Sequence, residues 1–374
     1  MFKVLFNESD NFMMISAQWA YDIVQEFVYQ FQSFCQNRSV NSRVESDTSG
    51  ARSDPWSLPI VANTLRRVIA KSTGENATPT PANIHSMMAY FCRVELARME
   101  CLLSDYSGSM DAIASINLHD PSEFFTSVPV CHVNVFYHAA VSMLMTRRYG
   151  DAIDTLSGVI LHISRLLKPG SSTLKAAVLT QHQKMMDKIL LLCAIAITIC
   201  PEHRADGQVV EMVVAKCSDK LKRLQSGDVG AFEDAFESAC PKFISPTFSD
   251  FGGGFDAWRA QVHVFMGEAK QHIALMKVRS YLRLYSCIDL EKLSRFNDVS
   301  QEELVAKLLA LSHKCRSSRS DVSYYIEDGK LFTDGDAASA MASVSTRYFF
   351  VSNIQKTADH RADLNSIFRD FEAC

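Results

Sequence analysis

The sequence lacks a basic excess and has few of the residues that interrupt helices. Its 374 residues carry 38 Lys and Arg against 42 Asp and Glu, so the formal net charge is −4. A protein that binds nucleic acid mainly through phosphate groups carries a basic excess, so this composition predicts weak or absent direct contact with RNA. The 10 prolines and 15 glycines leave room for many helices.

Long apolar runs and paired cysteines are also missing. The most apolar stretch, Ile189–Cys200, stops at Pro201, whereas a membrane-spanning helix needs about 20 apolar residues. We therefore expect a buried helix here and no membrane partner. The 11 cysteines are scattered singly, which predicts reduced thiols in a cytoplasmic protein. Cys193 and Cys200 share one helical face, so core packing is their expected role.

Motifs for catalysis or cofactor binding are absent from the sequence. The glycines Gly252–Gly254 are not followed by the Lys-Ser/Thr of a phosphate-binding loop. Cys131, His132 and His138 are residues of metal-ligand type, but no second pair stands at zinc-site spacing, so we interpret the histidines as core or helix-surface residues. We expect no cofactor, no metal and no enzyme activity.

What the sequence does contain is a long series of helical patterns with a faint internal repeat. Tyr106 begins a Tyr-x-x-Ser-Met motif and Tyr149 begins a Tyr-x-x-Ala-Ile motif, each after a predicted helix. In tetratricopeptide hairpins a tyrosine packs at the turn, and small residues let the next helix approach closely. Two copies are weak grounds for a solenoid by themselves, since amphipathic helix pairs often look alike.

Near the C-terminus the apolar spacing changes from a helical to a β-type period. Asp321–Phe332 consists of two short β-rich runs joined by Asp328-Gly329, a strong signal for a tight hairpin. Three helical segments precede it, around Val278–Cys287, Leu290–Phe296 and Ser300–Cys315. Three helices followed by a hairpin predict a winged helix.

Local signals support these winged-helix elements. Asp289 is the expected N-cap of the second helix, and Ser300 with Glu303 has the spacing of a capping box. The third helix has two acidic residues, Glu302 and Glu303, in its first turn, which disfavours binding in a DNA groove close to the phosphates. Protein–protein contact is therefore the predicted role of this region.

Two features near the C-terminus predict an interaction surface. The outer strand of the hairpin offers unpaired backbone groups, to which a neighbour's strand can add. A final helical run after Asp336 carries an apolar stripe that must be buried, either against its own chain or in a bundle with partner subunits. The candidate interaction residues are Tyr324, Tyr325, Ile326, Leu331, Phe332, Tyr348, Val351, Ile354, Leu364, Phe368 and Phe371.

Helical repeats that lead into a C-terminal winged helix resemble the PCI-domain family, which is shared by the proteasome lid, the COP9 signalosome and eukaryotic initiation factor three. Within that family, three blocks closely resemble the subunit L branch of initiation factor three, in the same order along the chain. These blocks are Gln18–Phe34, Met143–Ile153 and Gln225–Asp228, the last continuing to Ser238–Pro246.

The predicted fold is mainly α, with tetratricopeptide-like helical repeats followed by a C-terminal winged helix (the PCI domain) and a terminal helix. We expect an N-terminal helical segment with polar loops at 1–83, a helical-repeat array at 84–275, the winged helix at 276–336 and a helical tail at 337–374.

The resemblance implies a non-catalytic scaffold subunit of initiation factor three. That factor binds the small ribosomal subunit and organises the preinitiation complex. By the same resemblance, subunits K and E are the neighbouring partners, and winged domains line up side by side. Two alternatives stay open: a scaffold subunit of another PCI assembly, of the proteasome lid or COP9 signalosome type, and a winged-helix nucleic-acid-binding protein.

Overall fold

The computed structural model describes residues 15–41, 56–71, 83–168, 176–201, 203–245, 256–317 and 324–333. The chain divides into two compact units, Met1–Lys270 and Gln271–Cys374. The first unit is helical, and the second combines helices with a small antiparallel sheet. This confirms the predicted mainly α fold with helical repeats and a C-terminal winged helix. The division into four segments stays a prediction.

The described part of the first unit consists of helices. They are α1 (Ala17–Asn41), α2 (Leu58–Lys71), α3 (Ile84–Leu102), α4 (Tyr106–Ala112), a 3₁₀ turn (Phe124–Ser127), α5 (Pro129–Met145), α6 (Tyr149–Leu166), α7 (Ala176–Ile199), α8 (Gly207–Gln225), α9 (Val229–Ala239) and the first part of α10 (Ala257–Leu284).

These helices pack mainly on helices that are close to them in sequence. Helices α1, α2 and α4 pack on α3, then α3 packs on α5, α5 on α6, α6 on α7, and α7 on both α8 and α9. Such neighbour-to-neighbour packing is typical of repeat proteins, in which each added pair of helices extends one continuous core.

The turns that join α3 to α4 and α5 to α6 have the same geometry. Ser104 and Arg147 have positive φ values of 69° and 65°. In each turn the next residue, Asp105 or Arg148, donates its N–H to a carbonyl in the last turn of the preceding helix, at 2.9 and 2.8 Å. This pattern is the Schellman motif, which satisfies the free carbonyl groups at a helix C-terminus. The next helix begins at once, with the motif tyrosine.

A third copy of this turn joins α8 to α9. Gly227 has a φ of 78°, and the Asp228 N–H donates to the carbonyl of Arg223 at 3.1 Å. Glycine adopts this left-handed conformation without the steric strain of a Cβ atom. The sequence repeat did not reveal this copy, because Val229 stands where the other two copies have tyrosine.

Both motif tyrosines attach their turns to α10. The Tyr106 hydroxyl donates to Gln261 at 2.8 Å, and the Tyr149 hydroxyl donates to Glu268 at 3.1 Å. The Glu268 carboxylate also pairs with Arg147 at 2.8 Å. Gln261 and Glu268 lie about two helical turns apart on one face of α10. The first part of α10 therefore runs across both turns and holds the two helix pairs in register.

The N-terminal helix α1 is attached to the array by Tyr21 and by a charged network. The buried Tyr21 ring packs edge-on against Phe91 of α3, with ring centroids 5.4 Å apart. Its hydroxyl accepts a hydrogen bond from the Asn134 amide of α5 at 2.8 Å. A single aromatic side chain of α1 thus contacts two successive repeats.

The charged network centres on Arg98 of α3. Its guanidinium lies 3.1 Å from the carboxylate of Glu95 and donates to Gln32 of α1, also at 3.1 Å. Glu95 is fully buried, and one of its carboxylate oxygens has no hydrogen-bond partner among the described residues. The stability of this region therefore depends on Arg98, since without it the buried carboxylate has lost its counter-ion.

We expect Arg98→Met to lower the free energy of unfolding of the first unit by about 3–5 kcal/mol, the usual cost of an uncompensated buried charge. All 3 tryptophans of the chain lie in this unit, so urea denaturation followed by tryptophan fluorescence reports on it. Arg148→Met is the matched control. It breaks the exposed Arg148–Asp151 pair and should cost less than about 1 kcal/mol. Equal losses in the two variants would contradict the assigned role of Arg98.

The most apolar stretch of the sequence forms the second half of α7 and is almost entirely buried, as predicted. Cys193 and Cys200 are buried free thiols, and burial raises the pKa of Cys193 to about 12. In the parts of the chain that the structure describes, no helix combines the length and apolarity that a membrane span requires.

The metal-type residues Cys131, His132 and His138 lie in the core on α5. The His132 ring stacks on that of His162 from α6, with centroids 3.9 Å apart, and the Nδ1 atom of His138 lies 2.8 Å from the carbonyl oxygen of Asn134. Burial lowers the pKa of His132 and of His138 to about 3. Within the described ranges, no group of three potential ligands is arranged to hold a metal ion.

These histidines predict a loss of stability in mild acid. In the unfolded chain a histidine gains a proton as the pH falls through 6.5, whereas the depressed pKa keeps folded His132 and His138 neutral down to about pH 3. The free energy of unfolding should therefore fall by about 1.4 kcal/mol per histidine between roughly pH 7.5 and 5.5. Urea denaturation at both pH values measures this.

The matched variants for this pH dependence are His132→Phe and His263→Phe. Phenylalanine at position 132 keeps the ring contacts but cannot gain a proton, so the loss in acid should shrink by about 1.4 kcal/mol. His263 is exposed on α10, and its replacement should leave the loss unchanged. A pH dependence that His132→Phe does not alter would show that this imidazole is not the group responsible.

The second unit has the order of elements of a winged helix. After the end of α10 come β1 (Cys287–Asp289), α11 (Leu290–Phe296), α12 (Gln301–Ser317) and the hairpin of β2 (Tyr324–Glu327) and β3 (Lys330–Thr333). The predicted three helices and hairpin are present. The first helix ends at Leu284, however, and Cys287 belongs to a strand that was not predicted, because three residues are too few to show a period of two.

The end of α10, β1, α11, α12 and β3 contribute buried apolar side chains to one core, namely Leu275, Val278, Leu282, Ile288, Leu290, Leu293, Leu304, Leu308, Leu311 and Leu331, and Tyr324 of β2 packs against it. At the start of α12 the Ser300 hydroxyl accepts the Glu303 N–H at 3.2 Å, as the capping-box spacing predicted. Asp289 is the N-cap residue of α11, as predicted, but its side chain makes no capping hydrogen bond.

Candidate protein-interaction site

The candidate site is the sheet of the winged helix. Its strands are antiparallel and lie in the order β1-β3-β2, so β3 is central and β2 forms one edge of the described sheet. Ile288 of β1 and Ile326 of β2 both stand opposite Leu331, and Cys287 and Tyr325 both stand opposite Phe332. Ile288, Ile326 and Leu331 therefore share one face of the sheet, and Cys287, Tyr325 and Phe332 share the other.

The hairpin turn is fixed by Asp328 and Gly329. Their φ values are 48° and 73°, and positive φ at both central residues defines a type I′ turn, whose twist matches that of the two strands. Aspartate tolerates this conformation better than most residues, and glycine adopts it freely. The Asp-Gly signal in the sequence is therefore confirmed in position and in type.

The far end of the hairpin is fixed to the connection between α10 and β1 and to helix α12. Thr333 donates its N–H to the carbonyl of Ser286 at 2.9 Å and its hydroxyl to the carbonyl of Tyr285 at 2.6 Å. On the other strand, the Tyr324 hydroxyl donates to the carbonyl of Leu308 in α12. These bonds hold the edge strand in a fixed position before any partner arrives.

Strand β2 exposes two apolar side chains, Tyr325 at 55% and Ile326 at 44%. Tyr325 stacks on Phe332 across the hairpin, with ring centroids 5.1 Å apart. In a two-residue hairpin the residues that flank the turn share hydrogen bonds, and the pairs then alternate. The N–H and C=O of Ile326 consequently point away from β3, where an added strand can pair with them.

The other predicted interaction residues fall into two groups. Leu331 is fully buried in the core and offers no surface to a partner, while Tyr324 and Phe332 are partly buried. The second group, Tyr348, Val351, Ile354, Leu364, Phe368 and Phe371, lies outside the described residues. The interaction role of both groups stays a prediction.

Comparison with known proteins identifies the family. Residues 1–342 match the family described as RNA polymerase I-associated factor PAF67. The chain is 30% identical over 390 residues to eukaryotic translation initiation factor 3 subunit L of Nematostella vectensis, and 33% identical over 353 residues to that of Emericella nidulans. The chain belongs to the subunit L family.

These alignments cover most of the chain but less of the relatives. The chain is aligned over 94% of its own length and 72% of the Nematostella vectensis subunit L, and over 87% and 71% for Emericella nidulans. It is also 30% identical over 380 residues to the Danio rerio subunit L, which covers 91% of the chain and 64% of that relative. The chain thus spans about two thirds of the length of these subunit L proteins.

Of the three blocks that resemble subunit L in sequence, one forms a helix and two contain turns between helices. Gln18–Phe34 forms most of α1, Met143–Ile153 contains the turn between α5 and α6, and Gln225–Asp228 contains the turn between α8 and α9. Sequence reasoning missed that the last two blocks are copies of one turn. What the two turns share is a residue in the left-handed conformation. A sequence indicates this conformation only where the residue is glycine.

Helix α12 occupies the place of the helix that enters a DNA groove in winged-helix proteins that bind DNA. Its exposed first turn contains Glu302 and Glu303, and Glu303 pairs with Lys307 at 2.8 Å. Acidic groups at this position repel phosphates. The first turn of α12 is therefore poorly suited to lie against phosphate groups.

Leu331 and Ile326 stand opposite each other in the sheet, so substituting each of them compares a buried side chain with an exposed one. Leu331→Ala should destabilise the second unit by about 2–5 kcal/mol, because it leaves a cavity in the core. Ile326→Ala should cost less than about half of that, since its side chain is 44% exposed. Native-state hydrogen exchange of the β3 and α12 amides in the full chain measures both. A larger loss for Ile326→Ala would contradict the assigned burial.

Proposed function

We propose that this chain is a non-catalytic scaffold subunit of eukaryotic translation initiation factor 3. In this role it supports assembly of the preinitiation complex on the small ribosomal subunit, in the cytoplasm. Its membership of the subunit L family supports the proposal, since the relatives from Nematostella vectensis, Danio rerio and Emericella nidulans carry that name.

The observation that carries the scaffold role is the exposed edge of β2. A neighbouring subunit can add a strand there, pairing with the backbone of Ile326 while its side chains cover Tyr325 and Ile326. Main-chain hydrogen bonds provide affinity, and the exposed side chains, at 55% and 44%, provide apolar surface to bury. An edge held by the bonds of Thr333 and Tyr324 loses little conformational entropy on binding.

The proposed neighbours are subunits K and E, through the hairpin and the tail that follows it. Contact with the small ribosomal subunit is proposed to be made through the complex. Direct RNA contact is expected to be weak or absent, because the net charge is −4 and α12 begins with two acidic residues.

The complex itself is tested by affinity purification of the full chain at mild salt, with the bound proteins identified by mass spectrometry. We expect the other initiation factor 3 subunits and small ribosomal subunits to be recovered in stoichiometric amounts. Isolation as a lone monomer would contradict the proposal. So would recovery with subunits of the proteasome lid or of the COP9 signalosome, or with RNA polymerase I.

Strand addition at β2 is tested by Ile326→Pro. Proline removes the outward N–H of this edge position and obstructs an incoming strand, while the hydrogen bonds to β3 remain. We expect affinity for the neighbouring subunits in the reconstituted complex to fall about tenfold or more, since at least one hydrogen bond is lost. Ile326→Val keeps the N–H and is the matched control. If the proline variant is folded by circular dichroism and assembles normally, strand addition at this edge is wrong.

A further inference from the structure

The face of the winged-helix sheet that points away from the core carries a row of three charged residues. Asp289, Lys330 and Glu327 stand opposite one another on β1, β3 and β2. Each lies two residues along its strand from the row that contains Tyr325 and Phe332, so both rows are on the same face. All three charged residues are exposed. In the described sheet the charge therefore alternates from strand to strand: negative, positive, negative.

This alternation is incomplete at β2. Side chains directly opposite each other on neighbouring strands lie about 5 Å apart at Cβ, where opposite charges stabilise the pairing and like charges destabilise it. Lys330 on the central strand has an acidic residue on both sides, whereas Glu327 on the edge strand has Lys330 on one side only. Within the described ranges, the Glu327 carboxylate makes no ion pair and no hydrogen bond. The position beyond it is suited to a positive charge.

We propose that the strand that adds to β2 belongs to a different protein chain and places a lysine or arginine opposite Glu327. The same strand carries an apolar residue opposite Ile326 and an aromatic or β-branched residue opposite Tyr325. This inference rests on the proposed function, because it takes strand addition at β2 as given. It adds the chemistry by which the edge selects its partner.

The two apolar positions follow from the surroundings of Ile326 and Tyr325. Ile326 lies on the core side of the sheet beside the buried Leu331 and is 44% exposed, so an apolar neighbour covers it without burying a polar group. The Tyr325 ring stacks on Phe332 at 5.1 Å and is still 55% exposed, so it has surface left for a second flat or branched side chain. Read along an antiparallel partner strand, the order is basic, apolar, aromatic or β-branched.

Neither edge of the described sheet gives a second copy of this chain the required pattern. Two β2 strands paired antiparallel about Ile326 would place each Glu327 opposite a Tyr325 and supply no cation. Strand β1 of another copy, aligned with Ile288 opposite Ile326, would place either Asp289 or Cys287 opposite Glu327. An acidic residue there is a repulsive pair, and a cysteine supplies no positive charge. The alternating charges therefore favour a different chain over self-association.

The partner strand is located by photo-crosslinking in the full chain. A benzophenone amino acid replaces Tyr325, and the chain is assembled with purified initiation factor 3 subunits. We expect a crosslink to one neighbouring subunit, at a site with a lysine or arginine two residues away. The same group at Leu309, which is 65% exposed on α12, is the control and should not crosslink to that segment.

Three results of this experiment would overturn the proposal. They are a crosslink from position 325 to a segment without a basic residue at that spacing, a crosslink only to this chain's own residues or to a second copy, and no crosslink in the assembled complex.

The charge is tested by Glu327→Lys. A like charge opposite the partner's basic residue should lower affinity for the crosslinked subunit about five- to tenfold. Glu302→Lys is the matched control, because it makes the same charge change at an exposed position on α12 of the same unit, and its affinity should stay within about twofold of the unmodified chain. Equal losses in the two variants would attribute the effect to net charge and overturn the proposal.

A charge exchange completes the test. Replacing the partner's basic residue with glutamate should restore the binding of the Glu327→Lys chain, since the two charges are again opposite. Failure of the exchange to restore binding would show that these two residues do not face each other, and the proposal would be wrong.

The two proposals fail in distinguishable ways. If Ile326→Pro leaves assembly unchanged, strand addition at β2 is wrong, and the pattern proposed for the strand is wrong with it. If Ile326→Pro weakens assembly while Glu327→Lys has no effect, a strand adds at this edge and only the basic residue opposite Glu327 is wrong.

Discussion

The first unit depends on one backbone constraint, the left-handed residue that ends the first helix of each repeated pair. Ser104 and Arg147 adopt this conformation at a steric cost of about 1–2 kcal/mol each. The cost is offset locally by the Schellman hydrogen bonds and, for the second turn, by the pair of Arg147 with Glu268. Because the turn fixes where the next helix starts and in which direction it runs, the first two pairs present equivalent faces. This equivalence allows α1 to contact Phe91 and Asn134 with one tyrosine.

In the second unit, the described residues form a three-stranded sheet in which the outer strand β2 pairs with β3 alone. Leu331 of the central strand is buried in the core, so the sheet is well anchored on its inner face. The edge strand β2 nevertheless presents the backbone of Ile326 and two exposed apolar side chains. A monomeric protein usually blocks such an edge with charges, proline or a covering element. Among the described residues this edge is uncovered, and the proposed scaffold role depends on a neighbouring subunit covering it.

Several of these features could be predicted from the sequence, because they depend on residues that are close together in the chain. Asp328-Gly329 specified the hairpin because few other residue pairs accept positive φ at both positions. The buried second half of α7 followed from its unbroken apolar run. For His132 and His138 the sequence left a core and a helix-surface position open, and the structure places both in the core. By contrast, β1 and the third repeat turn were missed. Three residues are too few to show a strand period, and the third turn, although it contains Gly227, has Val229 where the other two copies have the motif tyrosine.

The helical character and the hairpin could be predicted from the amino-acid sequence, since both depend on contacts between residues that are close in the chain. Which of the described candidate interaction residues have exposed surface depends instead on the tertiary packing. Leu331 and Ile326 are both apolar strand residues directly opposite each other, yet one is buried and the other exposed. Burial of this kind is set by partners distant in sequence, and no local pattern of residues encodes which of them are within reach.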